Sequence, residues 1–212
     1  MQREIAEIKD GFDFMSEFYQ ERSWGIDAEQ YLTKFLDYLE DYSILENSED
    51  IVSTFEVLFT HLQTVAEKDF IVFKKEELRK HLMIYLLDAT YFDEITAEQL
   101  WQIGEFLNMN PEDWAWIIDN AFEDMDIGPY YFLPSFFKSL LWLGKKAGIE
   151  VSLARPKIGY AVRKTLEMLS ERYGDDWSEA SPLGDDHDFL RLRDQGCNNK
   201  QQYLKQIKSV KL

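Results

Sequence analysis

Apolar residues recur along this chain at helical rather than strand spacing. In the first segment Ile5, Ile8, Phe12, Met15 and Tyr19 follow at steps of 3, 4, 3 and 4, the stripe of an amphipathic helix. Gly25 breaks the pattern. Asp27 then stands as an N-cap, with Gln30 placed to close a capping box and Ile26 and Tyr31 placed to staple it. The second helix carries Leu32, Phe35, Leu36 and Leu39, and Ser48 caps a third through Ile51, Phe55, Leu58, Leu62 and Val65. The run Phe70-Ile71-Val72-Phe73 fits a strand or a helix entry equally. A fourth helix carries Leu78, Leu82, Tyr85 and Leu86.

The second half repeats this punctuation. Thr96 and Gln99 form a capping box, and Ile95 is placed to staple to Leu100. Asn110-Pro111 is a helix start, with Asn as the cap and Pro in the first turn, ahead of Trp114, Ile117, Ile118, Ala121 and Phe122. Pro134 opens a helix through Phe136, Phe137, Leu140, Leu141 and Leu143, and Gly148 closes it. Arg155-Pro156 marks a turn, because a residue before proline disfavours helix. A helix from about Lys157 to Tyr173 follows and stops at Gly174. Asp175 to Asp188 reads as loop, and Asn198 to Leu212 as a basic, weakly amphipathic helix through Leu204, Ile207 and Val210. Together these elements predict an all-α bundle of roughly eight to ten helices. The predicted organisation is one acidic helical domain over residues 1–174, with residues 175–212 a loop plus basic C-terminal helix packed on it.

Composition adds three constraints. With 212 residues, 45% hydrophobic and 15% aromatic, the chain has ample material for a core. The single cysteine, Cys197, excludes an internal disulfide and fits a reducing compartment. Acids near Met1 stand where a secretory signal needs an apolar run, and no stretch of about 18 apolar residues occurs. A cytoplasmic protein is the expectation.

Charge changes the picture more. Residues 1–130 hold 9 Lys+Arg and 30 Asp+Glu, a net of −21, whereas residues 131–212 hold 14 and 10, a net of +4. The first part repels phosphate backbones and attracts a basic protein, accelerating its approach. Acidity for solubility alone is the competing explanation.

No constellation carries a diagnostic chemistry. There is no nucleophile elbow, phosphate-binding loop or dinucleotide fingerprint, and Cys197 lies in a polar, basic tail without an identifiable base. Asp124-Met125-Asp126-Ile127-Gly128 resembles part of a calcium loop but lacks the third oxygen ligand before the glycine. Gly184-Asp185-Asp186-His187-Asp188 is the densest set of ligand-type residues, suited to a hard cation or to a solvated loop. His61 and His81 sit on predicted helices without a metal-binding spacing. Tyr130 to Ile149 could lie on a membrane surface, but apolar residues on nearly all sides favour a central helix.

Aromatic residues among carboxylates are more suggestive. Trp114 and Trp116 point roughly 200° apart on a helix, so both are buried only if that helix is covered on two sides. Otherwise one is an exposed anchor ringed by acids. Tyr38, Tyr42, Tyr91 and Tyr130 also stand beside carboxylates. The candidate partner-binding residues are Asp37, Asp41, Glu112, Asp113, Trp116, Glu123 and Asp124; no catalytic residue, metal ligand or cofactor is assigned.

In size, acidity, helical pattern and absence of catalytic motifs the chain resembles the all-α acidic immunity proteins of bacterial contact-dependent growth-inhibition and related polymorphic toxin systems. The resemblance covers the whole chain and rests on no specific motif. It implies an antitoxin that blocks one cognate basic toxin domain, plausibly an RNase, with no nucleic-acid or membrane partner. Two other readings stand beside it. One is an all-α metal-dependent hydrolase using the Asp185–Asp188 cluster with His61 or His81. The other is an acidic scaffold or adaptor.

Overall fold

Helix boundaries in this protein are set by cap chemistry. The computed structural model describes Ala6, Lys9 and residues 51–68, 75–92, 95–121, 131–183 and 186–212; Ile51 and residues 62–63, 65–68 and 75–82 are described in backbone only. The helix starts read at Asp27 and Ser48, the Phe70–Phe73 run and the Asp124–Gly128 segment lie outside these residues. Among the described residues the chain is all-α, with eight helices: α1 Ile51–Lys68, α2 Lys75–Tyr91, α3 Ala97–Phe106, α4 Pro111–Asn120, α5 Pro134–Ala147, α6 Pro156–Tyr173, α7 His187–Asp194 and α8 Lys200–Ser209. No described helix is long and apolar enough to cross a membrane.

The chain divides into two compact units, Met1–Met109 and Asn110–Leu212. In the first, α3 packs against both α1 and α2. The Thr96 hydroxyl accepts from the Gln99 N–H at 3.2 Å, and the Gln99 side chain accepts from the Thr96 N–H at 2.8 Å, so the capping box is closed in both directions. Ile95 and Leu100 are buried beside it. The core of this unit is aromatic: Phe55 and Phe59 stack at 5.7 Å, and Phe106 meets them edge-on at 6.5 and 6.0 Å. Asn108 ends α3 at φ 56°, a left-handed position where Asn substitutes for Gly.

In the second unit α4 contacts α5 and α6, and α8 contacts α5. Asn110 and Asp113 form a second reciprocal capping box, at 2.9 and 3.2 Å, with Pro111 in the first turn. Gly148 (φ 72°) closes α5 and Gly174 (φ 78°) follows α6, both in conformations that a side chain resists. The aromatic run into α5 is core: Tyr131, Phe132, Leu133, Phe136, Phe137, Leu140 and Leu143 are buried.

Two boundaries depart from the sequence reading. The loop expected to extend to Asp188 ends at Asp186, which caps the eight-residue helix α7. In α8 the buried residues are Tyr203 and Ile207, whereas Leu204 is only half-buried. The Tyr203 hydroxyl explains the choice: it donates to the Phe132 carbonyl at 3.0 Å, while the Phe132 N–H donates to Thr165 at 2.8 Å. Both polar groups of one buried peptide stretch are thereby satisfied.

Gly144 marks the closest approach in the second unit. A methyl group there would collide with the Val151 side chain and lie 3.0 Å from the Ile149 carbonyl. Gly144→Ala gains helix propensity of under about 1 kcal/mol but overpacks the site by about 1–3 kcal/mol, so a net destabilisation is expected in urea unfolding. In the Gly144→Ala/Val151→Ala double variant the two costs should be less than additive. Additive costs would show that Val151 is not what the new methyl meets.

Candidate functional site

The acidic residues fall into two groups once their neighbours are known. Some are committed to the fold. Asp113 is buried, and its carboxylate accepts from the Asn110 N–H. Asp119 holds Arg155 through two bonds, Nε to Oδ1 at 2.6 Å and Nη2 to Oδ2 at 2.8 Å. Arg155 also donates to the Glu150 carbonyl, so this pair ties the end of α4 to the turn before α6. Other acids face solvent: Asp88, Glu98, Glu105 and Glu112 are exposed. Glu98, Gln102 and Glu105 recur on the solvent face of α3, at the spacing that sets residues side by side along a helix.

The remaining candidates divide the same way. Trp114 is buried at 2% exposure and Trp116 is half-buried, so α4 is covered more fully on the Trp114 side. Tyr91 is buried and meets Phe92 edge-on at 5.1 Å, which takes it out of the solvent-facing set. Asp37, Asp41, Glu123 and Asp124 lie outside the described residues. Glu112 and Trp116 are thus the candidates whose side chains the structure leaves at least partly open, while the Asp113 carboxylate is turned into its cap.

The densest polar cluster was not legible in the sequence, and it lies at Asp186. This carboxylate is 2% exposed and accepts from four donors. Its Oδ2 takes the Tyr131 hydroxyl at 2.8 Å, the Tyr173 hydroxyl at 2.9 Å and Arg172 Nη1 at 3.1 Å. Its Oδ1 takes the Phe189 N–H at 3.1 Å, the N-cap bond of α7. Tyr173 in turn accepts from the Leu183 N–H at 3.1 Å and stacks on Phe189 with centroids 3.9 Å apart. Burial first, then the hydrogen bond to Asp186, raises the Tyr131 phenol above its ordinary value. A buried carboxylate with this many donors is a structural clamp: it joins the entry to α5, the end of α6 and the start of α7.

This geometry bears on the possible cation cluster. Asp188 lies beside Arg191 at 3.3 Å, and His187 is exposed. To serve as a ligand Asp186 would have to release its hydroxyl and guanidinium donors. Among the described residues no group of three or more His, Cys, Asp and Glu is arranged to hold a metal ion.

Cys197 differs from its expected surroundings as well. It is fully buried, and the equally buried Trp177 donates its indole N–H to the Cys197 carbonyl. Burial pushes the thiol up to about 12, far from nucleophilic readiness at neutral pH. Arg193 completes this region by donating to the Ala180 and Ser178 carbonyls at 2.7 and 2.8 Å.

No protein-family model matches the chain, and neither a curated protein nor a solved structure does. The site therefore stands on its own geometry.

Two outcomes follow from it. Asp186→Ala removes a helix cap and strands two hydroxyls, and the half-exposed Arg172 softens the charge term; a loss of about 3 kcal/mol in urea unfolding is expected. A loss under about 1 kcal/mol would mean that water replaces the carboxylate easily. The second outcome concerns alkaline pH. Cys197, Tyr131 and Tyr203 all hold their protons more tightly folded than unfolded, chiefly through burial. Their contribution is complete below the unfolded thiol's ordinary value near 9 and is lost as pH climbs towards 12. The urea midpoint should be flat between neutrality and that point and fall above it. Cys197→Ala should delay the onset of the fall; an unchanged onset would assign the fall to the tyrosines alone.

Proposed function

We propose that this protein is a stoichiometric inhibitor: an antitoxin of the immunity-protein type, whose acidic unit binds one cognate basic toxin domain and covers its active site. The observation that carries this reading is the segregation of charge between the two units. Residues 1–109 hold 9 Lys+Arg and 24 Asp+Glu, a net of −15, against 14 and 16, a net of −2, over residues 110–212. Acidity needed only for solubility has no reason to concentrate in one unit. A nuclease cleft is basic because its substrate is anionic, and a carboxylate surface complements it. Long-range attraction of this size raises association rates by one to three orders of magnitude, which suits capture of a toxin inside the cell that carries it.

The exposed carboxylates of the described residues support the reading further. Glu98 and Glu105 on α3 and Glu112 on α4 are solvent-facing acids of helices whose opposite faces are buried. In the second unit, taken by itself, Trp116 is half-buried four residues after Glu112 on α4 and is the aromatic side chain offered there. Asp37, Asp41, Glu123 and Asp124 belong to the same acidic set by sequence. The mechanism is occlusion: the partner's cationic cleft is filled with carboxylates, and no group on this chain reacts.

The test starts with capture of partners by the tagged protein from its source cells, washed at low and then high salt. One basic protein at near-equal stoichiometry, with nuclease activity lost on addition of this chain, is the expected result. With that partner, the double variant Glu98→Lys/Glu105→Lys on α3 of the acidic unit should slow association at least about tenfold and flatten its salt dependence. Asp113→Lys is the contrasting variant: it breaks the α4 cap and lowers stability by about 1 kcal/mol or more. An unchanged rate and salt slope in the double variant would remove α3 from the interface.

A further inference from the structure

A second charged surface lies at the other end of the chain, and the sequence sum conceals it. Residues 131–149 and 195–212 contain seven lysines and no Asp or Glu in 37 residues. At the chain-wide frequency of 40 acids in 212 residues, about seven would be expected there. The two stretches are separated by 45 residues in sequence, but the fold brings them together. Helix α8 packs on α5. Gln195 accepts from the Ser135 N–H and donates to its hydroxyl, both at 2.9 Å, and Tyr203 donates to the Phe132 carbonyl.

Each helix turns its lysines outward. On α5, Lys138, Lys145 and Lys146 are exposed, while Phe136, Phe137, Leu140 and Leu143 form the buried side. Trp142 shares the lysine face, half-buried, with Lys146 Nζ 5.1 Å from its ring centroid. On α8, Lys205 and Lys208 are exposed over buried Tyr203 and Ile207. Among the described residues none of these five lysines is in an ion pair. The acids that border the two stretches, Glu150 and Asp194, are exposed beyond their ends, and Asp119 of neighbouring α4 is held by Arg155.

We propose that the outer faces of α5 and α8 bind single-stranded nucleic acid through its phosphate backbone. Magnitudes select this ligand among polyanions. Against scattered protein carboxylates each exposed lysine contributes under about 1 kcal/mol, less in sum than the entropy lost on association. A polyphosphate strand releases condensed counterions, so the same lysines yield measurable affinity. An anionic membrane is disfavoured, because α5 and α8 expose no large apolar side chain to enter the headgroup layer. A duplex is disfavoured too, since the lysines lie along the sides of two mutually packed helices rather than on one element that would enter a groove. Trp142, half-buried among the lysines, is the aromatic side chain available to a base there. The overall charge of −17 opposes approach from a distance, but at physiological salt that field is screened beyond about 8 Å. The proposal does not depend on the role assigned to the acidic unit.

The experiment is a fluorescence-anisotropy titration of a labelled oligouridylate with the full chain, over a range of salt beginning at about 30 mM. Five neutralised phosphates give a slope of log affinity against log salt near about −3.5. Lys138→Glu/Lys145→Glu and Lys205→Glu/Lys208→Glu should each weaken binding at least tenfold and make the slope shallower. Oligothymidylate should bind comparably, because the backbone is what is held. Trp142→Leu should weaken the oligouridylate without changing competition by inorganic polyphosphate. Thermal melting of each variant establishes that it is folded. No binding at the lowest salt, or binding indifferent to both lysine double variants, overturns the proposal. Equal loss of strand and polyphosphate binding in Trp142→Leu, or tighter binding to anionic vesicles than to the strand, overturns it as well.

Discussion

A carboxylate taken from water must find its donors inside, and Asp186 organises the second unit around that requirement. Desolvating such a charge costs several kcal/mol even after relaxation. Two tyrosine hydroxyls, one guanidinium and one helix-end N–H offset that cost. The four donors arrive from three places in the chain. Tyr131 stands at the entry to α5, Arg172 and Tyr173 at the end of α6, and Phe189 in the first turn of α7. Losing the carboxylate would leave these groups without their shared acceptor at once, which makes the cluster cooperative rather than a sum of pairs. The loop before α7 is registered by the same atoms, because Tyr173 both donates to Asp186 and accepts from Leu183.

The same interaction explains what the sequence revealed and what it hid. Cap chemistry acts over three or four residues, so Thr96 with Gln99, Asn110 with Asp113 and the glycines at 148 and 174 could be read directly. Periodicity likewise identified the buried faces of α4 and α5, because burial of one stripe is what makes a helix amphipathic. Asp186 could not be read in that way. Its principal partner, Tyr131, lies 55 residues away, and its local setting of Asp, Ser, Gly and Pro is that of a solvated turn. A carboxylate in a turn and a carboxylate at a buried helix cap have the same sequence signature. The one available signal was three-residue spacing: Asp186 stands three before Phe189, the geometry of an N-cap ahead of an apolar residue. Cys197 was misjudged for a related reason. Its neighbours in sequence are polar, but its carbonyl is bonded by the buried Trp177, twenty positions earlier.

Net charge suffers from the same blindness. A sum over residues counts Asp113, Asp119 and Asp186 equally with Glu98, Glu105 and Glu112. The structure separates them: the first three are held by a cap, an arginine and a donor cluster, and the last three face water. The committed three are aspartates and the free three glutamates. The short aspartate side chain reaches neighbouring backbone groups, as caps require, whereas a glutamate on a helix surface extends past its own turn into solvent. Asp88 and Asp194 are exposed all the same, so residue type alone does not decide which acids face solvent.

Charge segregation survives this correction and becomes sharper. The exposed acids of α3 belong to a unit with net −15, while α5 and α8 expose lysines from stretches that contain no acid at all. Opposite charges placed on separate surfaces forgo the mutual attraction that intermixing would give them. Such an arrangement does not serve stability, because exposed pairs contribute little and separated like charges repel. An extended surface of one sign sums its attraction for a complementary partner, where a mixed surface cancels it. The fold commits some of its described charges to a cap, an arginine pair and a buried clamp. A chain held together by apolar helix faces leaves the acids of α3 and the lysines of α5 and α8 outside that packing, each helix exposing one sign.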